Sequence, residues 1–523
     1  MKSTLRNGSL FILCGALITG SLWNGGYFQT SKWVLTFLIL GAAVWELVVS
    51  IAEGSQVRSL RSPALWLLAV FAIFATGSLF WSVVPGDTER EAALLLAYVA
   101  VIFVVRSNLG RSGAAALAVI SAWFVYVASF VSAWGVVTYI FRLAPWAGLL
   151  DNIYRAGSSF EYSNALACFG LMALPVSAAL HRRAGSNERP VYATAMTLQA
   201  AAVLLSFSRF GIVALLLMAL YLCLTGRREN MGLCVFLSFT GALAVAVTSV
   251  AAQEYQHMLV GLAVVALMLA GFFILQRVAG QAAISADGPS AAHVHGLRND
   301  AEQSFAGKSG SGIDNSAVTG ALVAGAAAVV LAAFMLIARM DRLRVIITTR
   351  FEEGLTLRRL LPHRLDTWAG SVEAFRADPL VGSGLGSFYH VYQEHALAAY
   401  TKYAHNLVLQ TAVETGWVGA VLLTAFLVYV AALICLRLLA KIDPVIKAYA
   451  ISCGVFIAFN LFDWEWYVPA LTAWFMLSVA CIEGYTRMAD EEKRNEYSET
   501  LMNHMDDATG CGNENCSCGR STV

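Results

Sequence analysis

The chain has 523 residues, of which 58% are hydrophobic and 13% charged, well below the roughly 25% charge typical of soluble domains. That composition excludes a soluble globular protein. Repeated apolar runs of about 15–25 residues, matched to a hydrocarbon core roughly 30 Å thick, predict an all-α polytopic membrane protein. A net charge of +1 gives no basis for a nucleic-acid partner, because the informative quantity is how charge divides across the bilayer.

In chain order, apolar stretches at 8–23, 32–52, 63–84, 91–106, 113–140, 162–180, 190–207, 210–225, 231–251, 257–276, 317–339, 415–438, 446–462 and 468–485 predict about 14 spans, or 12–14 given two short runs and a tight turn at 208–209. The first run follows Lys2 and Arg6 as in a signal peptide, yet no cleavage site stands out before Trp23, so it is expected to remain as the first helix. An even number of spans puts both termini on one side, with Arg58, Arg61, Arg106, Arg111, Arg182, Arg183, Arg227, Arg228, Arg437 and Arg487. The positive-inside rule makes that side cytoplasmic. The outer connections are then 24–31, 85–90, 141–161, 208–209, 252–256, 463–467 and one long segment, 340–414.

The chain therefore divides into an N-terminal membrane bundle (1–276), a Gly-, Ala- and Ser-rich flexible cytoplasmic linker (277–316), a C-terminal membrane part (317–485) carrying the outer loop 340–414, and a disordered cytoplasmic tail (486–523). Cys14, Cys168, Cys223, Cys234, Cys435, Cys453 and Cys481 lie in apolar runs, where Cys packs as a small hydrophobe. Cys511, Cys516 and Cys518 in the tail match no paired zinc-knuckle spacing, and His293 and His295 lack partners at ligand spacing, so no metal site is assigned. Glu46, near the inner end of its span, reads as a snorkelling side chain.

The outer loop holds the chemistry. Arg342, Arg344, Arg350, Arg358, Arg359, Arg364 and Arg376 gather there among carboxylates, and as a set they suit an anionic substrate, since the guanidinium fork binds phosphate bidentately. Leu365, Trp368, Ala369, Val372 and Phe375 at helical spacing predict an amphipathic helix over 363–377, ending before Pro379. Arg364 in its first turn suits a bound phosphate, which would receive both the free N–H groups and the guanidinium. Gly382, Gly384 and Gly386 do not open a βαβ unit, so a tight turn is expected in place of a dinucleotide site. His405 opens the run into the next span and can take a proton from a hydroxyl near neutral pH. Arg209 lies between two apolar runs, where an ionisable side chain points to function. Asp463 and Glu465 sit among Trp464, Trp466 and Tyr467; the aromatics read first as an interfacial belt, with metal binding or base chemistry as the alternative.

These residues resemble the O-antigen ligase/polymerase family of bacterial membrane glycosyltransferases. The resemblance runs through Phe80-Trp-Ser-Val-Val-Pro85, Arg155-Ala-Gly-Ser-Ser-Phe-Glu-Tyr-Ser-Asn164, Ser206-Phe-Ser-Arg-Phe-Gly211, Arg364-Leu-Asp-Thr-Trp368, Asp378-Pro-Leu-Val-Gly-Ser-Gly-Leu-Gly386, Ala404-His-Asn-Leu-Val-Leu409 and Glu414-Thr-Gly-Trp-Val-Gly419. It implies a C-type glycosyltransferase-like fold in the bacterial inner membrane. The implied reaction moves a glycan from a polyprenyl (undecaprenyl) diphosphate carrier to a glycan or glycolipid hydroxyl at the outer face, without cofactor or metal. By the same resemblance His405, Arg364 and Arg209 are the catalytic candidates, and Arg155, Asn164, Asn406, Arg359 and Gly384 are candidate substrate contacts. An exporter or flippase is the rival class, but it should carry polar residues along several spans and an internal repeat, and neither is apparent. A structural scaffold leaves the clustered Arg and His unexplained.

Overall fold

The computed structural model describes residues 7–53, 58–143, 149–150, 153–225, 231–254, 256–286, 364–397 and 401–485. Among these the regular structure is helical, apart from an antiparallel pairing of β1 (Leu149–Leu150) with β2 (Ile153–Tyr154). In order come α1 (Gly8–Leu22), α2 (Gln29–Ala52), α3 (Pro63–Gly77), α4 (Pro85–Phe141), α5 (Ser163–Arg183), α6 (Arg189–Leu205), α7 (Arg209–Thr225), α8 (Met231–Glu254) and α9 (Met258–Ala286). After the undescribed segment follow α10 (Arg364–Ala377), α11 (Phe388–His395), α12 (Leu407–Leu439), α13 (Pro444–Asn460) and α14, residues 469–485.

Seven of the described helices are long and apolar enough to cross a membrane: α2, α3 with its 3-10 extension, α4, α5, α8, α9 and α12. α1, α7 and α13 are shorter apolar helices. Each expected span coincides with helix except 317–339, which lies outside the described residues, as do Arg359 and the tail. The spans expected at 91–106 and 113–140 are the two halves of α4, joined at Gly113 (φ 50°, ψ −124°). One boundary is corrected. α9 continues to Ala286, so the first ten residues expected in the 277–316 linker are helical, carried on by the helix formers Gln281, Ala282 and Ala283.

Helix association in a bilayer relies on close packing and small residues, because lipid tails are as apolar as leucine. α5 shows this. From Ser163 to Ala179 every residue except Asn164 is buried, and a Cβ on Gly170 would come within 3.2 Å of the Gln199 carbonyl on α6. At its flank Phe124 stacks on Trp474 at 4.5 Å, and the Trp474 indole donates to Ser21 Oγ at 3.0 Å, which satisfies its one polar group inside the bundle.

The glycine turn has a specific structural partner. α12 is broken at Gly416 (φ 64°, ψ −167°), which frees backbone groups on either side. The turn inserts there: Trp417 N donates to Pro379 O at 2.8 Å, Val418 N to Leu380 O, and Gly384 N to Glu414 O at 2.8 Å. Only glycine fits this approach, since a Cβ on Gly382 would meet the Glu414 carbonyl carbon at 2.5 Å and one on Gly384 would collide with Ser82. The turn also docks on the 78–88 segment, through Val83 N to Ser383 O and Leu385 N to Ser78 Oγ, both 3.0 Å. Motifs far apart in sequence are thus one interlocked piece.

α10 forms where the pattern predicts, but its buried face differs. Thr367, Gly370, Ser371 and Ala374 are buried while Ala369 and Val372 are exposed. Small residues line the contact because α11 approaches closely: a Cβ on Gly370 would lie 2.7 Å from the His395 carbonyl.

The bundle's two ends are distinct. The connections around 24–28, 81–85, 155–162, 206–208 and 461–467 meet the loop residues 364–414 at one end. At the far end Glu46, fully buried, accepts from Arg111 at 2.5 Å, Ser9 at 2.6 Å and Asn108 at 3.2 Å. Glu46 therefore does not snorkel; it is held inward by a cation on α4. Glu483 likewise accepts from Ser62, from Ala64 N at 3.1 Å and from Tyr429 at 2.8 Å, with Arg106 Nε at 3.6 Å.

Candidate active site

His405 is fixed by its neighbours on both sides. Ala404 N donates to Gln410 Oε1 and Ala404 O accepts from the Trp368 indole, both at 3.0 Å. Asn406 caps α12 by accepting from Leu409 N at 2.9 Å, and its amide donates to Leu461 O at 3.1 Å. Between these clamps His405 takes a left-handed backbone, φ 54°, a conformation that costs an L-residue about 1–2 kcal/mol. Such strain persists only where the surroundings over-determine it.

The imidazole faces Asp463. His405 Nδ1 lies 2.8 Å from Asp463 Oδ1, and because an ionised carboxylate can only accept, Nδ1 carries the hydrogen and the neutral ring presents its lone pair at Nε2. Nε2 makes no hydrogen bond among the described residues, and a quarter of the side chain is exposed. Asp463 is a hub: Tyr162 donates to Oδ1 at 2.8 Å, Trp464 N at 3.1 Å, Asn164 Nδ2 to Oδ2, and Arg364 stands 3.5 Å from Oδ2. Burial alone would push its carboxyl up. The His405 hydrogen bond, the Arg364 charge and the Tyr162 hydroxyl outweigh burial and bring it down to about 2.

The arginines are placed by backbone carbonyls. Arg364 opens α10 and donates to Phe462 O beside its contact with Asp463. Arg155 donates Nε to Ser206 O and NH2 to Asn164 Oδ1, both at 2.7 Å, while Ala156 N donates to Leu205 O. The Arg155–Asn164 and Ser206–Gly211 stretches are therefore joined, and a chain of contacts runs from Arg155 through Asn164 and Asp463 to His405. Arg209 opens α7 on the same stretch, half-buried, and its neighbour Phe210 packs edge-on against Phe459 at 4.7 Å.

Of the expected site residues, His405, Arg364, Asn164 and Arg155 share one network, and Arg209 lies on the segment that holds Arg155. Asn406 acts on the backbone of His405 and the 461 turn. Gly384 is buried in the inserted turn. The structure adds Asp463 and Tyr162. Asp463 was legible as a carboxylate on an outer connection, but the aromatics flanking it drew the belt reading. Those aromatics stack at the site: Trp464 lies between Tyr162 at 4.2 Å and Tyr403 at 4.6 Å.

Glu465, two residues on, differs from Asp463. It is fully buried, and neither carboxylate oxygen has a hydrogen-bond partner among the described residues. Burial, and next the Asp463 charge, push its carboxyl well above the usual carboxylate range. The two neighbouring carboxyls are shifted in opposite directions.

No curated protein matches the chain. Residues 194–424 match a family model described as O-antigen ligase; the match includes Arg209, Arg364, Gly384, His405 and Asn406, while Arg155, Asn164 and Asp463 fall outside it and join the site through the contacts above. Over those residues the chain is similar to the O-antigen ligase family.

Proposed function

We propose that this chain is a metal-independent glycosyltransferase that moves a glycan from a polyprenyl (undecaprenyl) diphosphate carrier to an acceptor hydroxyl at the outer face of the bacterial inner membrane. The observation that carries the reading is the His405–Asp463 pair, with Nε2 open and Arg364 on the other oxygen of the same carboxylate. The acceptor hydroxyl attacks the anomeric carbon and its proton passes to His405 Nε2. A glycosidic C–O bond forms as the bond to the diphosphate breaks, and the departing diphosphate takes the electron pair. Asp463 holds the ring's tautomer and stabilises the imidazolium, as a buried carboxylate does for a histidine base. Arg364, Arg209 and Arg155 meet the negative charge on the leaving group, where a preorganised donor contributes on the order of 3–4 kcal/mol. Asn164 ties Arg155 to Asp463, so proton acceptance and leaving-group binding share one scaffold. Arg359 is a further candidate contact to the diphosphate.

Ligation to a glycolipid and polymerisation of repeat units share this chemistry and differ in acceptor; ligation is the preferred reading. The loop-bearing end is then extracytoplasmic and both termini cytoplasmic. The test is transfer from a polyprenyl diphosphate-linked glycan by reconstituted wild type, His405→Ala, Arg364→Ala and Arg209→Ala, with and without EDTA. Loss of transfer in folded variants, untouched by EDTA, supports the reading, and the product separates ligation from polymerisation. Full activity in all three variants overturns the assignment, and inhibition by EDTA overturns metal independence.

A further inference from the structure

A cavity of about 210 Å³ opens beside the site, between the starts of α2 and α4, α11 and the approach to His405. It is smaller than the roughly 300 Å³ at which drug-sized pockets begin. We propose that this cavity is an acceptor subsite that holds one sugar ring adjacent to the sugar whose hydroxyl reacts. The proposal rests on the glycosyl-transfer reading and names where that reaction's acceptor is gripped.

The walls suit a pyranose. Tyr27 and Tyr403 line one side, edge to face at 6.5 Å, and aromatic rings offer a sugar's C–H face an apolar surface beside polar groups. The Tyr403 and Tyr27 hydroxyls are 3.0 Å apart, and Lys402 Nζ donates to Tyr27 at 3.1 Å. One hydroxyl proton is used between the two tyrosines, so the other has no acceptor among the described residues and remains for a ligand oxygen.

Charge separates this cavity from the diphosphate side. Lys32 is paired with Glu91 at 2.5 Å and Arg90 with Asp87, and Glu414 reaches the wall beside Gly386. Lys32 and Arg90 are thus each held by a carboxylate, and Lys402 by the Tyr27 hydroxyl. A diphosphate would meet a carboxylate beside two of these three cations, whereas sugar hydroxyls both donate and accept and pair with either.

Continuity with the site sets the register. Tyr403 precedes His405 by two residues and stacks on Trp464, which stacks on Tyr162, the donor to Asp463. His405 itself does not line the cavity. The ring held there is therefore a neighbour of the one that reacts, and the acceptor chain passes the edge of the Tyr403–Trp464 stack.

The test uses the full chain in detergent and saturation-transfer NMR with free glucose, galactose, N-acetylglucosamine and glucuronic acid at millimolar concentration. Binding of at least one sugar is expected to wild type and to His405→Ala, and to weaken about fivefold to tenfold in Tyr27→Phe, the loss expected for one hydrogen bond. Lys402→Gln, an exposed position, should leave the melting temperature unchanged and weaken the same sugar. Absence of binding by all four sugars, or equal binding by wild type, Tyr27→Phe and Lys402→Gln, overturns the subsite. The readout needs no turnover, so sugar binding without any transfer would sink the catalytic reading alone. In the transfer assay, Tyr27→Phe should raise the acceptor KM and leave the donor KM alone; a rise in donor KM assigns the cavity to the donor and overturns the proposal.

Discussion

The two ends of the bundle use the same pair of side chains to opposite effect. At the far end Arg111 and Arg106 reach Glu46 and Glu483, and serines, a tyrosine and a backbone amide occupy the remaining carboxylate positions, so the pairs are closed. At the loop-bearing end Arg364 reaches Asp463 in the same way, but one of the carboxylate's partners is an imidazole whose second nitrogen faces out. A buried ion pair is by itself weak evidence of function. What distinguishes the second is a proton-accepting group left over once the hydrogen bonds are made.

That contrast can be broken at either end. The largest effect is expected from His405→Ala, a fall in transfer of about 10²–10⁴-fold with an unchanged melting curve, and Asp463→Asn should follow it, since general-base catalysis is worth that much. A transfer rate near wild type in either would make the pair as structural as its counterparts. Glu46→Ala should do the reverse: it takes away the buried carboxylate that Arg111, Ser9 and Asn108 share and leaves Arg111 with Glu53, a loss of about 1–3 kcal/mol read as a lowered melting temperature, while transfer per folded molecule is kept. An activity loss there without a stability loss would erase the distinction. Arg364→Ala should lower kcat by about 10²–10³-fold and leave the acceptor KM in place; an effect on acceptor KM alone would take the arginine away from the leaving group.

The smallest effect sharpens the picture at one residue. Glu465 has its folded value raised by burial, so the unfolded chain loses that proton first as pH rises, and stability declines from about the ordinary value of 4.5 upward. Glu465→Gln should therefore raise the melting temperature by a few degrees at pH 7–8 and change nothing at pH 4. Equal melting temperatures across the range would mean that Glu465 is ionised in the fold. Asp463 runs the other way: its stabilising contribution is complete above 3.8 and is lost only as pH falls toward 2.

The apolar helices of the described residues were legible because apolar runs of this length have few other solutions, and seven of them are long enough to cross a membrane. α10 was found at its boundaries yet assigned the wrong buried face, since hydrophobic spacing cannot show that α11 comes close enough to require Gly370 and Ser371 at the contact. The catalytic candidates were legible one at a time; their connection was not. Nothing in the local pattern around Asp463 indicates that Tyr162, Asn164, Arg364 and His405 converge on it from three other parts of the chain. Glu46 was misjudged for the same reason, because its partner Arg111 lies 65 residues away.

The glycine turn lodged in the α12 break also bears on how the protein is built. Pro379 and Leu380 must offer their carbonyls to Trp417 and Val418 from the same side of the bilayer. A chain threaded the wrong way would leave four backbone groups without partners at the membrane edge, each costly in the absence of water. The turn thus ties the course of α12 across its break to the segment 379–386, and the helix so completed begins two residues after His405.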